Sequence, residues 1–397
     1  MTVIALIAMG LLVAHRRWRA AAWEDPAVIH ALVWLSASIC FLMFPELNGY
    51  PSWRTIGILT LGIISFSIGV AAADRTDFMT RNASVSSWPS LLPWLLSLLA
   101  AGALCAVVLR AQQLVPLEGR PDWIQQLRGA VTVGGQSFGW TAYVANLGFA
   151  ATLSSLYIAN QRHEWIAACL ALIAATMMAV LLTGRTYIVL LAVTTIVTLS
   201  SKATTPATKK KIIVVLLAAL VTIIVFSSVA RQPEILAAGN LASTIYVQLL
   251  HYIPPGVIGF DYQIAQDAPP ALGVNTFRTF FAIFKALGLV VPVVDLVRPF
   301  ILTPISTNVY SAFSPYYADY GAGGVAIFFF FFGSLTGYLY RRLQKLPTPT
   351  MAMLYGILIY ALVMQFFQDQ YFSLLSQWIQ LLIWTALLTT TKLTRSP

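Results

Sequence analysis

Runs of about 17 to 23 mostly apolar residues recur along almost the whole of this 397-residue chain. A helix of about 20 apolar residues crosses the roughly 30 Å hydrocarbon core of a bilayer. Hydrophobic residues make up 58% of the chain and charged residues only 10%. A soluble domain of this length could not bury so much apolar surface. The sequence therefore predicts an all-α polytopic membrane protein.

The apolar runs predict about eleven transmembrane helices. The first run is followed, not preceded, by positive residues (Arg16, Arg17 and Arg19), which favours a first span with its N-terminus outside over a cleaved signal peptide. The sixth and seventh runs are separated only by Gly184 and Arg185, but together they are too long for one crossing. The predicted spans are 2–14, 26–44, 53–73, 89–109, 138–159, 166–183, 186–200, 212–229, 323–340, 350–367 and 371–390.

Three regions follow from this arrangement. Residues 1–230 hold predicted spans one to eight, residues 231–322 form one large loop, and residues 323–397 hold spans nine to eleven. Lysine and arginine are concentrated in the short loops on the side opposite the large loop. The positive-inside rule therefore predicts that these short loops are cytoplasmic. The large loop is then periplasmic, the N-terminus is outside and the C-terminus is inside. Because the cytoplasmic loops account for the whole net charge of +10, the basic composition reflects membrane orientation and indicates no nucleic-acid partner.

Several classes of site are not indicated. Cys40, Cys105 and Cys169 lie within apolar runs and lack metal-ligand spacing, so we expect neither a disulfide framework nor a metal site. The chain contains no nucleotide or other cofactor motif, and we expect no cofactor. All 14 acidic residues fall in loops or at the edges of predicted spans. Ion-coupled transporters usually carry carboxylates inside their spans, so this placement weakens a transporter interpretation.

The large loop contains one predicted helix. Asn275 is a suitable N-cap for the stretch TFRTFFAIFKALGLV, which ends at Pro292. An aromatic stripe carries Phe277, Phe281 and Phe284, and a neighbouring basic stripe carries Arg278 and Lys285. Such a helix either lies in the outer membrane interface or packs on the bundle while its cations extend to water. The sequence leaves both possibilities open.

Basic residues collect on the predicted outer face. The loop carries Arg231, Arg278, Lys285 and Arg298, and Arg185 lies at the tip of the tight turn LLTGRTYIVLL. Guanidinium groups bind phosphate oxygens through two parallel hydrogen bonds and stay charged at any relevant pH. The cluster suits a pyrophosphate ligand, with lipid-headgroup anchoring as the alternative.

The same face carries the candidate acid–base groups His251, Asp261, Asp295 and Asp319. Asp319 lies in the stretch TNVYSAFSPYYADYGAGGVAIFFFFFG (307–333), where tyrosines and glycines precede five consecutive phenylalanines. A partly desolvated carboxylate at this depth could act as a base, or it could simply face a helix N-terminus. A histidine in a loop such as His251 is more often structural than catalytic, but it remains a candidate.

The segment NVYSAFSPYYADYGAGGVAIFFFFFGSLTGYLY (308–340) resembles the corresponding segment of bacterial O-antigen, or oligosaccharide repeat-unit, polymerases of the Wzy type. In that family a Pro-Tyr-Tyr-x-Asp-Phe-Gly string follows the large periplasmic loop, and Tyr320 stands here where the family more often has Phe. The turn TGR (183–185) resembles a turn that these polymerases share with O-antigen ligases.

The resemblance implies a glycosyltransferase-C-like fold of the ligase and RodA branch. It also implies metal-independent transfer of a growing glycan from undecaprenyl pyrophosphate to the next lipid-linked repeat unit, at the periplasmic face of the bacterial inner membrane. Expected partners are undecaprenyl-pyrophosphate-linked oligosaccharides, membrane lipids and a chain-length regulator protein. The alternatives are an O-antigen ligase and a lipid-linked oligosaccharide flippase or exporter.

On this reading the site residues have three roles. Arg185 and Arg298 bind pyrophosphate with Arg278 assisting, while either His251 or Asp319 is the base or orients the acceptor. The glycan contacts tyrosine rings, which can stack on sugar faces and hydrogen-bond to sugar hydroxyls. These are Tyr310, Tyr316, Tyr317 and Tyr320.

Overall fold

The computed structural model describes residues 25–44, 47, 51–73, 88–116, 122–132, 134–203, 205, 207–215, 250, 253–295, 298–302 and 307–390. Predicted span 2–14, most of predicted span 212–229, and the candidate residues Arg231 and His251 lie outside the described residues.

The described residues form helices and connecting segments, and their β-structure is limited to one isolated bridge between Ile301 and Thr307. In chain order the helices are α1 (Pro26–Met43), α2 (Trp53–Ala73), α3 (Leu92–Leu114), α4 (Trp123–Thr132), α5 (Thr141–Ile158), α6 (Arg162–Leu181), α7 (Arg185–Lys202), α8 (Pro254–Ala265), α9 (Arg278–Ala286), α10 (Ser314–Lys345), α11 (Pro349–Val363) and α12 (Leu375–Leu388).

Helix length and composition identify a membrane protein. Within the described residues, five helices are long and apolar enough to cross a bilayer, namely α1, α2, α3, α6 and α10. Shorter apolar helices cover Thr186–Lys202, Pro349–Val363 and Leu375–Leu388. All-helical architecture is the expected result, because a segment in lipid must satisfy its own backbone hydrogen bonds. The total of eleven spans and the glycosyltransferase-C-like fold stay predictions.

Local sequence signals explain where several of these helices begin. The carboxylate of Asp25 accepts a hydrogen bond from the backbone N–H of Ala27 at 2.8 Å, and Pro26 occupies the first turn of α1. At the start of α6 the Glu164 side chain accepts from the backbone N–H of Gln161 in a capping box. Both devices satisfy backbone groups that a helix end leaves unpaired.

Two boundaries in the large loop and after it differ from the prediction. Helix α9 begins at Arg278 with Phe277 as its N-cap, so the prediction of Asn275 as the N-cap was wrong. Helix α10 begins at Ser314, not at 323, so the tyrosine-rich stretch is itself helical. Gly321 interrupts α10 with φ 64° and ψ −155°, a conformation that only glycine adopts without strain. The glycine therefore joins a short polar helix to the long apolar one.

The chain divides into two compact units, each assembled from segments distant in sequence. The first contains Met1–Met79, Gly239–Arg341 and Leu358–Leu375, and the second contains Thr80–Ala238, Arg342–Ile357 and Ser376–Pro397.

In the first unit, α2 and α10 approach each other closely enough for backbones to touch. A Cβ atom added to Gly69 would lie 2.2 Å from the carbonyl oxygen of Phe330, and one added to Gly333 would lie 2.1 Å from that of Phe66. Membrane helices associate without a hydrophobic driving force, because lipid is as apolar as their side chains. Small residues at a crossing let the helices approach closely and gain van der Waals contact. The crossing holds the apolar part of α10 in place.

The second unit packs α3, α5 and α6 through small side chains. Ala100, Ala171 and Ala174 form one buried cluster. Asn146 of α5 donates to Gln380 of α12 at 3.0 Å and accepts from Gln377 at 3.2 Å. Amide pairs of this kind join helices in an apolar bundle because each would otherwise leave a polar group unsatisfied.

Candidate functional site

The first unit contains a polar platform made by α8 and two non-helical segments. The backbone N–H of Ser311 donates to the carbonyl of Gly256 at 2.7 Å, and that of Ala312 donates to the carbonyl of Gln365 at 2.8 Å. A Cβ atom at Gly256 would lie 2.0 Å from the carbonyl oxygen of Phe366, and one at Gly259 would lie 2.2 Å from that of Val309. Glycine at these positions thus lets the three segments pack backbone to backbone.

A cleft opens beside this platform. Its walls combine two guanidinium groups, two carboxylates, three amides, and the hydroxyls of two serines and a tyrosine. The lining residues are Asn275, Arg278, Val294, Asp295, Arg298, Asn308, Tyr310, Ser314, Pro315, Gln368, Asp369 and Ser373. Convergent polar groups in a concavity of a mostly apolar protein are the usual composition of a ligand site.

Arg298 is the cation most enclosed by this site. Its guanidinium carbon lies 4.9 Å from the centroid of the Tyr310 ring, a cation–π arrangement, and its Nη1 donates to Gln263 at 3.4 Å. Burial lowers the pKa of Arg298 from its ordinary value, and the nearby Tyr310, Asp319 and Asp369 partly offset that effect. An arginine keeps its charge despite such a shift. Arg298 is therefore a partly desolvated, preorganised cation.

Arg278 belongs to the same cleft and is oriented by the backbone. Its Nε donates to the carbonyl of Val294 at 2.6 Å. This bond fixes the start of α9 to the segment that follows the helix. The rest of α9 exposes Phe280, Ile283 and Phe284, whereas Phe277 packs against Phe328 and Phe372 at 6.1 and 5.7 Å between centroids. Of the predicted aromatic stripe of Phe277, Phe281 and Phe284, only Phe284 is exposed.

Asp369 is the carboxylate that the cleft buries. It lies in the loop between α11 and α12 and is 4% exposed. Its Oδ1 accepts from the Tyr316 hydroxyl at 2.8 Å and the Tyr371 backbone N–H at 3.0 Å. Its Oδ2 accepts from the Ser373 backbone N–H at 2.9 Å and the Ser373 hydroxyl at 2.7 Å. Burial raises the pKa of Asp369, and these hydrogen bonds to its charged form oppose the rise.

Asp319 is fully buried, and it does not line the cleft. Its Oδ1 accepts from the backbone N–H and the side-chain amide of Asn275, at 3.2 and 2.8 Å, and its Oδ2 accepts from the Thr276 backbone N–H at 2.6 Å. The carboxylate thereby ties α10 to the turn that leads into α9. Its geometry suits positioning of Asn275 and Arg278 more than contact with a substrate.

Replacing Asp319 by alanine should lower stability, because the backbone N–H groups of Asn275 and Thr276 would lose their buried acceptor. Such a loss costs on the order of 1–3 kcal/mol. Thermal unfolding of the purified protein in detergent measures it. The matched control is Asp267→Ala, because Asp267 is exposed and pairs at 2.8 Å with the exposed Arg54, and an exposed ion pair contributes little to stability. Equal melting temperatures for the two variants would contradict this role of Asp319.

The four candidate tyrosines have different environments. Tyr310 lines the cleft beneath Arg298, and Tyr316 is fully buried with its hydroxyl on Asp369. The Tyr317 hydroxyl accepts from Arg54 at 3.1 Å, outside the cleft lining. Tyr320 is 39% exposed and stacks on Phe328. The structure thus places Tyr310 alone of the four in the wall of the cleft.

The phenylalanine run contributes to the core as well as to the surface. Phe329 and Phe332 are buried, and Phe332 stacks on Tyr371 with ring centroids 4.0 Å apart. Phe330 and Phe331 are exposed. The buried members of the run therefore pack against Tyr316 and Tyr371, and only the exposed ones are available for contact with lipid.

The two remaining acidic candidates, Asp261 and Asp295, have different environments. Asp261 accepts hydrogen bonds on Oδ1 from the Ser52 hydroxyl, the Ser52 backbone N–H and the Thr55 hydroxyl, at 2.5, 2.9 and 2.5 Å. These hydrogen bonds join α8 to the start of α2. A carboxylate at a helix N-terminus also interacts favourably with the positive end of the helix dipole. Asp295 is exposed in the cleft wall.

Arg185 is the first residue of α7 and belongs to the second unit. Its side chain is outside the described residues. The turn before it contains Thr183 with φ 58°, a left-handed conformation that is rare for a β-branched residue. Backbone strain of this kind concentrates at functional sites. The role of Arg185 stays a prediction, as does that of His251.

Comparisons of this chain with protein-family models, curated proteins and solved structures found no match.

Sequence reasoning missed Asp369, Ser373 and the amide residues of the cleft. A signal for Asp369 existed, since the string FQDQY places an acid between two glutamines at the predicted outer junction of the last two spans. Such polarity exceeds what a short connection between apolar helices needs. The sequence alone does not indicate that this junction reaches the large loop.

Proposed function

We propose that this protein is a metal-independent glycosyltransferase of the bacterial inner membrane. It polymerises lipid-linked oligosaccharide repeat units at the periplasmic face and transfers the growing glycan from undecaprenyl pyrophosphate to the next lipid-linked unit. The observation that carries the proposal is the cleft, where Arg278 and Arg298 converge with carboxylates, amides and Tyr310. The resemblance of residues 308–340 to repeat-unit polymerases supports the same function.

The groups of the cleft match the charges that this reaction creates. Negative charge develops on the departing pyrophosphate, and preorganised cations such as Arg298 lower the barrier to its departure. The acceptor hydroxyl loses a proton and needs a base within hydrogen-bond reach. Amide and tyrosine side chains can orient sugar hydroxyls and ring faces. The cleft thus carries a group for each requirement of the reaction.

Incubation of the purified protein with undecaprenyl-pyrophosphate-linked repeat units tests the proposal, with products separated on a gel. A ladder of glycan lengths is the expected result. Transfer only to a lipid A core acceptor would instead identify a ligase. Movement of the intact lipid across proteoliposomes without a ladder would identify a flippase, and the arginines would then be contacts along its path.

A further inference from the structure

The hydrogen bonds around Asp369 leave its carboxylate no free acceptor position. An ionised carboxylate offers about four lone-pair sites. Tyr316, the Tyr371 N–H, and the N–H and hydroxyl of Ser373 occupy them, at 2.7–3.0 Å. A substrate hydroxyl could reach Asp369 directly only by displacing one of these donors.

Of the three residues that supply these donors, only Ser373 also lines the cleft. Ser373 lines the cleft and is half-buried. Tyr316 is fully buried and does not line it, and the remaining two donors are backbone N–H groups, which have no lone pair to offer. A hydroxyl that donates one hydrogen bond still has two lone pairs to accept another. Ser373 can therefore accept a proton from the cleft while it donates its own to Asp369.

We propose that Ser373 and Asp369 form a proton relay for the acceptor substrate, an inference that rests on the proposed glycan transfer. The acceptor hydroxyl donates a hydrogen bond to Ser373 Oγ. As the acceptor oxygen forms its bond to the anomeric carbon of the donor, its proton moves to Ser373 Oγ and the Ser373 proton moves to Asp369 Oδ2. The bond from the anomeric carbon to the pyrophosphate oxygen breaks, and its electron pair leaves with the lipid pyrophosphate. Asp369 then releases its proton to solvent by the reverse path.

The remaining carboxylates are less suited to this step. Asp319 is fully buried outside the cleft lining. Asp295 lines the cleft but is exposed, so water can hydrate its carboxylate. Burial raises the pKa of Asp369, which brings its basicity closer to the working pH. Asp267→Asn is the matched control, because it removes an exposed carboxylate of the first unit that lies outside the cleft lining.

The relay predicts a particular pH dependence. The groups that face Asp369 are Tyr316 of α10, Tyr371 and Ser373 of its own loop, and the charged side chains of the cleft, Arg278, Asp295 and Arg298. The relay needs ionised Asp369, so activity is lost as the pH falls through the pKa of this group. The Tyr316 hydrogen bond lowers that pKa. Tyr316→Phe should therefore raise it and move the acidic limb of kcat/KM to higher pH, which a purely structural role would not do.

The experiment measures initial rates of ladder formation from undecaprenyl-pyrophosphate-linked repeat units. Ser373→Ala should lower kcat by on the order of 10²-fold with little change in KM, and Asp369→Asn by 10²- to 10⁴-fold. Ser373→Thr retains the hydroxyl and should keep most of the activity, and the control Asp267→Asn should keep most of it too. The elution profile and melting temperature of each variant identify any loss caused by misfolding.

The outcomes separate the relay from the function on which it rests. If the unmodified protein makes no ladder, the polymerase proposal fails and the relay falls with it. If it makes a ladder and folded Ser373→Ala is as fast as the unmodified protein, the relay alone is overturned. An acidic limb that stays in place in Tyr316→Phe, or a larger loss in Asp267→Asn than in Ser373→Ala, would also overturn it.

Discussion

Arg298→Ala is expected to lower the rate of glycan polymerisation by on the order of 10³-fold, because it removes a preorganised cation from the developing charge of the leaving group. The guanidinium is held over the Tyr310 ring and by Gln263, so it needs little rearrangement when pyrophosphate departs. Arg298→Lys should recover only part of the rate, since an ammonium keeps the charge but not the two-pronged geometry. Single-turnover rates of ladder formation measure both effects.

Arg54→Ala is the control for this prediction. Arg54 is also an arginine of the first unit, but its side chain is 57% exposed and pairs with Asp267 outside the cleft lining. Its loss should leave the rate within a few-fold of the unmodified protein, because exposed ion pairs contribute little. Equal losses in Arg54→Ala and Arg298→Ala would mean that general positive charge, not the position of Arg298, supports the reaction.

The second large effect is expected for Gly333→Ala, which should destabilise the protein by about 3 kcal/mol. The new methyl group would lie 2.1 Å from the carbonyl oxygen of Phe66. A backbone carbonyl cannot avoid the methyl group by changing rotamer, as a side chain can. Helices α2 and α10 would therefore have to separate. Their contact is made by van der Waals packing, which a small separation already weakens. Thermal unfolding of the purified protein in detergent, followed by its tryptophan fluorescence, measures the change.

Gly323→Ala is the control on the same helix. A Cβ atom there would meet nothing within 4 Å, and alanine is the better helix former by up to about 1 kcal/mol. The control should therefore melt at the same temperature as the unmodified protein or slightly higher. If Gly333→Ala melts no lower than Gly323→Ala, the close crossing of α2 and α10 is not a source of stability.

Helix α10 connects the platform beside the cleft with the close crossing of α2 and α10. The apolar part of this helix contacts α2 through Gly333. Its first turns carry Tyr316 and Asp319, which hydrogen-bond to the cleft residues Asp369 and Asn275. Gly321 between them allows the two parts to take different directions. A rigid apolar anchor with a separately oriented polar start is a suitable support for a site that requires fixed hydrogen bonds.

The sequence by itself determined the class of the protein and the position of most of its described membrane helices. Long apolar runs leave little choice, because lipid offers the backbone no hydrogen bonds and the helix satisfies its own. It also identified the loop that supplies Arg278, Arg298 and Tyr310. The early start of α10 was missed because serine, tyrosine and aspartate before Gly321 are typical of a loop when read without their partners.

Only the tertiary structure decided which buried carboxylate lines the cleft. Asp319 has the more suggestive sequence context, yet Asn275 and Thr276 occupy its oxygens. Asp369 comes from a different part of the chain and meets Tyr316 across 53 residues of sequence. The desolvation and hydrogen bonding that set a carboxylate's basicity depend on neighbours that folding brings together, and spacing along the chain does not record them.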